Sequence, residues 1–350
     1  CKLLRHCTRM AEHVGGLNDA LDSRETAESI VRWIHREYDN EETNRDYRVA
    51  LRVFGAHMTD GDDLPESLDW IPATTSSTHD PSPDPRDMLH WDEHVQPMLD
   101  ECYNERDRAL ISLQWDAGLR SGEVKSLTVG DIADHDHGLQ VTVEGKQGRR
   151  TVTLVPSVPY VSQWLDSHPT GAKDDPLWCG LRAPHDSLSD RCFLDMFKNA
   201  AERAGVERPV TPTNFRKSSA TYLASEGMSQ AHLEDHHGWV RGSDAAARYV
   251  AVFSETSSNE LARIHGRDVS ETESDPVGPV ECPRCERDTP REKDFCVWCH
   301  QALSPEATES VDEVREEAID ALADAEDPEM RELFAEFVRF VERRPDAAPQ

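Results

Sequence analysis

The chain has 350 residues, 37% of them hydrophobic, and its 68 acidic against 38 basic side chains leave a formal net charge of −30. That length suits two or three domains of about 100–200 residues each. No long apolar run and no signal-peptide pattern occur, so a helical membrane protein and an evidently secreted one are both set aside, and a cytoplasmic location is expected.

The charge is the reverse of the basic footprint that nucleic-acid binding usually leaves. With 7 lysines against 31 arginines, the surface reads as halophilic: a Debye length of about 3 Å at 1 M salt screens like charges while hydrated carboxylates keep the chain soluble. A plain acidic protein with no nucleic-acid role is the alternative reading of composition alone. The chain opens on Cys1 and not on Met, which leaves open whether its N-terminus is complete.

In chain order, residues 18–70 read as helical, because Ile30, Val31, Trp33 and Ile34, then Tyr47, Ala50, Leu51, Val53 and Phe54, recur at helical spacing. A helical domain over 1–75 follows. Residues 72–86 are rich in Thr, Ser, Pro and Asp, and a linker is placed at 76–88. A second domain, 89–265, begins with helices near 92–103 and 105–116. Gly118 ends the latter, and Ser121 is a candidate cap for the next helix. Residues 139–155 alternate and turn at Gly145–Gly148, a β-hairpin signal. Helices are expected near 158–167, 188–204, 213–227, 229–237 and 243–253, with Ser229 and Ser243 as N-caps and Gly238 just past a helix end. An acidic linker occupies 266–279, a four-cysteine module 280–303, and an acidic tail 304–350. The tail holds helices near 306–325 and 328–343, with Asp327 capping and Pro328 opening the second. Leu333, Phe334, Phe337, Val338 and Val341 form its apolar face, suited to an internal contact or a dimer contact.

Five polar residues stand in contexts that could aim them at one point: Arg120, Lys146, Arg216, Trp239 and Tyr249. Two guanidiniums suit the spread negative charge of a phosphoryl transition state, because each makes bidentate bonds to phosphate and never deprotonates. A lysine on a hairpin turn can protonate a leaving oxygen, an indole N–H can donate to phosphate, and a phenol can attack. Singly, each has a structural explanation: a surface arginine, a solvated lysine, a core tryptophan or tyrosine. No Gly-rich phosphate loop or metal-binding carboxylate cluster competes for the task. Arg149 and Arg150, next to the turn, are candidates for contacts with backbone phosphates.

The order AGLRSGEV, a hairpin lysine in EGKQGRR, TNFRKSSATYLASEG, HHGW and RYV resembles the tyrosine recombinase (phage integrase) family over about residues 20–265. The resemblance implies a mainly α fold with a small sheet (α+β): a helical, SAM-like core-binding domain and a catalytic domain, two halves of a clamp around double-stranded DNA. It implies Tyr249 as nucleophile, Lys146 as general acid, Arg120, Arg216 and Trp239 as phosphate holders, and Glu123 in support. It further implies a tetramer on two DNA sites, no ATP and no catalytic metal, and a tail helix at 254–265 that docks on a neighbour. Two departures stand out. Thr213 lies where the family has histidine, and threonine cannot shuttle a proton at neutral pH. The interval from Trp239 to Tyr249 is one residue longer than usual, which a loop containing Gly242 can absorb. His232, His236 and His237 are the available substitutes for the missing imidazole.

Cys282, Cys285, Cys296 and Cys299 form two CxxC knuckles separated by ten residues. Four thiolates suit one tetrahedral structural Zn²⁺ in a small ribbon. A redox dithiol pair is the alternative, and four cysteines leave no open position for a catalytic metal. The expected activity is site-specific DNA cleavage and rejoining. Two other classes remain: a catalytically impaired relative acting as a DNA-binding regulator, with Thr213 in its favour, and a zinc-ribbon adaptor working through protein contacts.

Overall fold

The computed structural model describes residues 2–59, 63–76, 82–252, 261–262, 264–267, 276–324 and 327–344. The chain divides into two compact units, 1–81 and 82–350. No helix among the described residues is long and apolar enough to cross a membrane.

The first unit is helical: α1 (Lys2–His13), α2 (Asp19–Asp22), α3 (Arg24–Glu37), α4 (Glu41–Met58) and α5 (Glu66–Asp69). Side-chain oxygens of Ser23 and Asn40 accept from the backbone N–H groups of Thr26 and Thr43, which starts α3 and α4. The 3.6-residue period then buries Ile30 and Ile34 on α3 and Tyr47 and Leu51 on α4, against Met10 and Leu68. α1 lies ahead of the expected start of helix. Val53 is 45% exposed, against the core role expected of it. α4 instead turns the Asn44–Arg48 stripe inward, where Arg48 donates to Asn44 Oδ1 (2.9 Å), Pro72 O (2.7 Å) and Glu41 Oε1 (3.2 Å). A buried guanidinium is tolerated there because its donors are paired.

The second unit is built around α7 (Glu105–Ala117). Its Ala109, Leu110, Ile111, Leu113 and Trp115 are all buried. The helix expected at 92–103 is instead a wide turn over Trp91–Val95 running into α6 (Gln96–Asp100). Pro97 has no N–H to offer a helix interior and sits in the first turn of α6, just past the wider turn, where none is needed. Gly118 closes α7 at φ 53°, a left-handed position that favours glycine. After α8 (Ser121–Lys125) comes an antiparallel sheet in the order β1 (Ile132–His135), β2 (Gly138–Gly145), β3 (Gly148–Leu154). Gly145 pairs with Gly148, so the hairpin tip is Lys146 and Gln147. Leu139, Val141, Val143, Val152 and Leu154 alternate onto the buried face. α9 (Val158–Ser167), the short pair β4 (Cys179–Gly180) and β5 (Ala183–Ser187), α10 (Asp190–Ala204), α11 (Pro212–Ser225), α12 (Gln230–His237) and α13 (Asp244–Val252) follow. Ser189, Thr211 and Ser229 cap α10, α11 and α12, while Ser243 Oγ has no hydrogen-bond partner among the described residues, against the cap expected of it. α11 crosses α7 and buries Phe215, whose truncation to alanine costs about 3–5 kcal/mol.

The cysteine module pairs β6 (Val280–Glu281) with β7 (Asp288–Thr289). The tail helices Pro305–Asp324 and Pro328–Arg343 pack on each other, and Asp327 Oδ1 accepts from Glu329 N (3.0 Å). Phe334, Phe337 and Val338 are half-buried, but Leu333, expected on the same face, is 57% exposed. The expected tail helix at 254–265 lies mostly outside the described residues.

Candidate active site and metal centre

Arg120 stands at the start of α8 with extended backbone (φ −68°, ψ 149°) and occupies the cap position expected of Ser121. Its backbone N–H donates to Glu123 Oε2 (3.0 Å) and its Nη1 to Glu123 Oε1 (2.7 Å), so a carboxylate three residues on reaches back and closes the turn. Arg120 Nη2 donates to the Gly238 carbonyl (2.7 Å). Arg216 rises from α11 with 8% exposure; Nη1 donates to the Gly118 carbonyl (2.8 Å) and Nη2 to the His237 carbonyl. The two guanidiniums therefore end on successive backbone carbonyls, at the point where α12 gives way to Trp239.

Burial, with the Arg120 charge alongside, lowers Arg216 to about 9, still cationic at neutral pH. Arg216 lies 5.2 Å from the Trp239 ring centre, and Trp239 stacks on Tyr249 at 5.3 Å and 12°. Tyr249 is 8% exposed. Burial raises its phenol above the ordinary value, and Arg216 and Arg248 pull the other way. Arg120, Glu123, Arg216, Trp239 and Tyr249 thus form one chain of contacts.

Lys146 is exposed at the hairpin tip, with its base, Gly145, against Glu123. Thr213 is exposed near the start of α11, one turn before Arg216. The three candidate histidines take other places. His232 is exposed; His236 Nε2 lies 3.0 Å from the Asp116 carbonyl, and burial lowers it to about 4. His237 is fully buried, its ring against Gly118 so closely that a Cβ there would lie 2.5 Å from Cε1. Tyr222, the neighbouring phenol, packs on Trp115 (4.8 Å).

Arg150, expected to face DNA, points inward. Its Nη1 and Nη2 donate to Glu123 Oε1 (3.1 Å) and Oε2 (2.8 Å). The strand period carried the signal: 150 shares a face with the buried 152 and 154, whereas 149 does not. Burial would raise the Glu123 carboxyl, but bonds from Arg150 and Arg120 overcome it and hold it at about 2. Three arginines around one carboxylate leave a local surplus of positive charge in an acidic protein, a setting for an anion.

The four ribbon thiols lie within 4.8 Å of one another, and the pairs Cys282–Cys299 and Cys285–Cys296 are 3.6 Å apart. A tetrahedron of sulfurs about 2.3 Å from Zn²⁺ has edges of about 3.8 Å, so the set fits that ion. Each knuckle closes alike: Glu286 N donates to Cys282 O (2.9 Å), His300 N to Cys296 O (3.0 Å), and both residues have positive φ. Thr289 Oγ1 and Trp298 N donate to Cys296 Sγ, which favours its thiolate form.

The phage integrase family model matches residues 90–256. A tyrosine recombinase of Synechocystis sp. is 33% identical over 132 residues, which cover 37% of this chain and 42% of the relative. Tyrosine recombinase XerC of Chlamydia trachomatis is 31% identical over 137 residues, covering 38% and 42%. The chain thus spans less than half the length of the curated relatives it matches. In fold it is similar to the XerH site-specific recombinase, solved bound to its palindromic difH substrate after cleavage (TM-score 0.52, 15% identity, covering 69% of this chain and 72% of that one).

Proposed function

We propose that the chain is a tyrosine recombinase that cleaves and rejoins double-stranded DNA at specific sites through a 3′-phosphotyrosyl link on Tyr249, a reading supported by the match of residues 90–256 to the phage integrase family model. One observation carries the reading furthest: Arg120 and Arg216 converge on the Gly238 and His237 carbonyls, and the next residue, Trp239, carries the Tyr249 ring. A phosphate at that point would take guanidinium donors that the carbonyls now hold, and gain bidentate, charge-assisted bonds.

The chemistry follows from the groups. Tyr249 Oη bonds to phosphorus as the bond to the 5′-oxygen breaks. Lys146 gives a proton to that oxygen. Arg120, Arg216 and the Trp239 indole N–H hold the nonbridging oxygens, where charge grows in the transition state. The phenolic proton leaves to a base other than Thr213, whose hydroxyl cannot take it at neutral pH. The 5′-hydroxyl of a second strand reverses the step. Bond energy is kept in the covalent link, so the reading calls for neither ATP nor a catalytic metal. Strand exchange between two duplexes calls for four protomers.

The ribbon is read as a structural zinc site held by Cys282, Cys285, Cys296 and Cys299, in which the ion supplies most of the folding energy of the segment. The net charge of −30 makes high salt part of the proposal: steering toward DNA is weak, and shape and base contacts carry the affinity.

The test is covalent trapping on a nicked suicide substrate. The wild type should form a denaturant-stable adduct, and Tyr249→Phe should bind DNA without forming one. A Tyr249→Phe variant that still traps DNA removes Tyr249 as nucleophile. Binding without any adduct from the wild type favours the regulator reading that Thr213 suggests.

A further inference from the structure

Arg150 has no role in the chemistry above, yet it is placed more tightly than a DNA-facing arginine needs to be. It sits on β3, opposite Val143 and five residues short of Val155, with only 15% of its side chain exposed. Its fork grips both oxygens of Glu123, itself 5% exposed. Two glycines make the fit possible. A Cβ on Gly145 would stand 2.4 Å from Glu123 Oε1 and 3.0 Å from Arg150 Nη1. One on Gly238 would stand 2.7 Å from Arg150 Cζ. Glu123 is held by four donors, two from Arg120 and two from Arg150, so it cannot swing aside for a larger residue at 145. The hairpin base, the α8 turn and the exit of α12 therefore meet on one ion pair, and Lys146 is the next residue beyond that base.

We propose that Arg150 is a positioning residue: its ion pair with Glu123 anchors the lysine hairpin against the arginine site, so that proton delivery from Lys146 to the leaving oxygen depends on it. The inference rests on the reading of Lys146 as general acid. The tip residues Lys146 and Gln147 are exposed, so the tip can move over the bound strand while its base stays fixed. Without Arg150, Glu123 keeps Arg120 as a partner and the phosphate-holding side of the pair survives. What is lost is the tie from Glu123 across to β3, together with the long bond from Arg150 Nε to the His236 carbonyl (3.5 Å), and with them the place from which the ammonium is delivered.

A substrate whose scissile 5′-oxygen is replaced by sulfur separates the possibilities, because a thiolate leaves without needing a proton. On all-oxygen DNA, Lys146→Ala and Arg150→Ala should each slow cleavage by about 10²-fold, the usual scale of general-acid catalysis, and on sulfur-bridged DNA both should return to within about threefold of the wild type. Arg150→Lys, which keeps the charge but not the fork, should fall between. Amide exchange should quicken at 143–150 in Arg150→Ala and stay unchanged in α7. The proposal is overturned if Arg150→Ala is equally slow on both substrates, which would place its effect on phosphate holding or on folding, or if it cleaves like the wild type. Should Lys146→Ala itself gain nothing from sulfur, the general-acid reading fails and takes this inference with it. Rescue of Lys146→Ala alone sinks only the role given to Arg150.

Discussion

The arginine site and the cysteine ribbon solve the same problem, holding several polar groups at one point, by opposite means. Arg120 reaches a carbonyl 118 residues away in the chain, whereas Cys282 and Cys299 are separated by 17. Only a packed core can assemble the first; α7 and α11 cross, and the turns at Gly118 and Gly238 close around the guanidiniums. Local turns suffice for the second, provided a metal joins the thiols. Among the described residues, Val277 packs on the core of the larger unit and three polar contacts tie the ribbon to it. Tyr160 Oη donates to Glu292 (2.6 Å), Arg287 pairs with Asp166 (2.7 Å) and Lys293 with Asp100 (2.7 Å). The two ion pairs are exposed, and such pairs contribute about 0–1 kcal/mol each. The contrast predicts that damage to one region stays largely in that region.

Arg216→Ala should have the largest effect. It removes a preorganised cation from the proposed phosphate site and leaves the Gly118 and His237 carbonyls without their donor. Cleavage measured in single turnover should fall about 10³-fold, on the scale of losing a transition-state donor, while zinc bound per chain is unchanged. Cys282→Ser should do the reverse. On the proposed zinc reading, metal analysis should drop from one zinc per chain toward none, the ribbon should become protease-sensitive, and cleavage of a short duplex should change by less than about tenfold, since the folding energy such a metal supplies is spent within the ribbon. If Cys282→Ser slows cleavage as much as Arg216→Ala, the regions are not separate.

The pH dependence of stability sharpens the picture on the arginine side. Glu123 is held at about 2 against 4.5, so its contribution is whole above pH 4.5 and fades as pH falls toward 2. His236 is held at about 4 against 6.5, so stability is lost as pH falls from 6.5 to 4. Asp116, raised by burial to about 6 from 3.8, works in the opposite sense between those values and offsets His236. His237, fully buried and held well below 6.5 by that burial, adds a second loss in the same sense as His236. Stability should therefore start to fall below about pH 6.5, and a steeper acid limb should follow below about pH 4.5, where Glu123 protonates. Glu123→Gln should flatten it in thermal melts, and an unchanged limb would mean that Glu123 is not held as described. The smallest effect is ionic. With a charge of −30, raising KCl should raise the melting temperature steadily by screening self-repulsion; a flat profile removes the halophilic reading of composition.

Much of this was legible in the sequence where the information is local. The hairpin followed from Gly145 and Gly148, the helix ends from Gly118 and Gly238, the caps from Ser229 and Asp327, and the cysteine cluster from its own spacing. The arginine boxes were visible because each is a contiguous segment. What lay hidden were pairings across distance. Arg150 looked like a solvated neighbour of Arg149 because its partner, Glu123, lies 27 residues earlier; only the strand period separated them. The cap at Arg120 was assigned to Ser121 because cap preference counts hydroxyls, and here the closing group is a carboxylate three residues on. β1, with Asp134 and His135 in a four-residue strand, has too little apolar alternation to announce itself, and pairing with β2 makes it a strand. Histidines in a row on α12 gave no sign of which would be buried, because that is decided by α7.

The most direct measurement is the identity of the side chain that carries DNA. Trapped adduct, digested with nuclease and protease and read by tandem mass spectrometry, should place the nucleotide mass on Tyr249. A nucleotide on Tyr222, or on no tyrosine at all, would contradict the account.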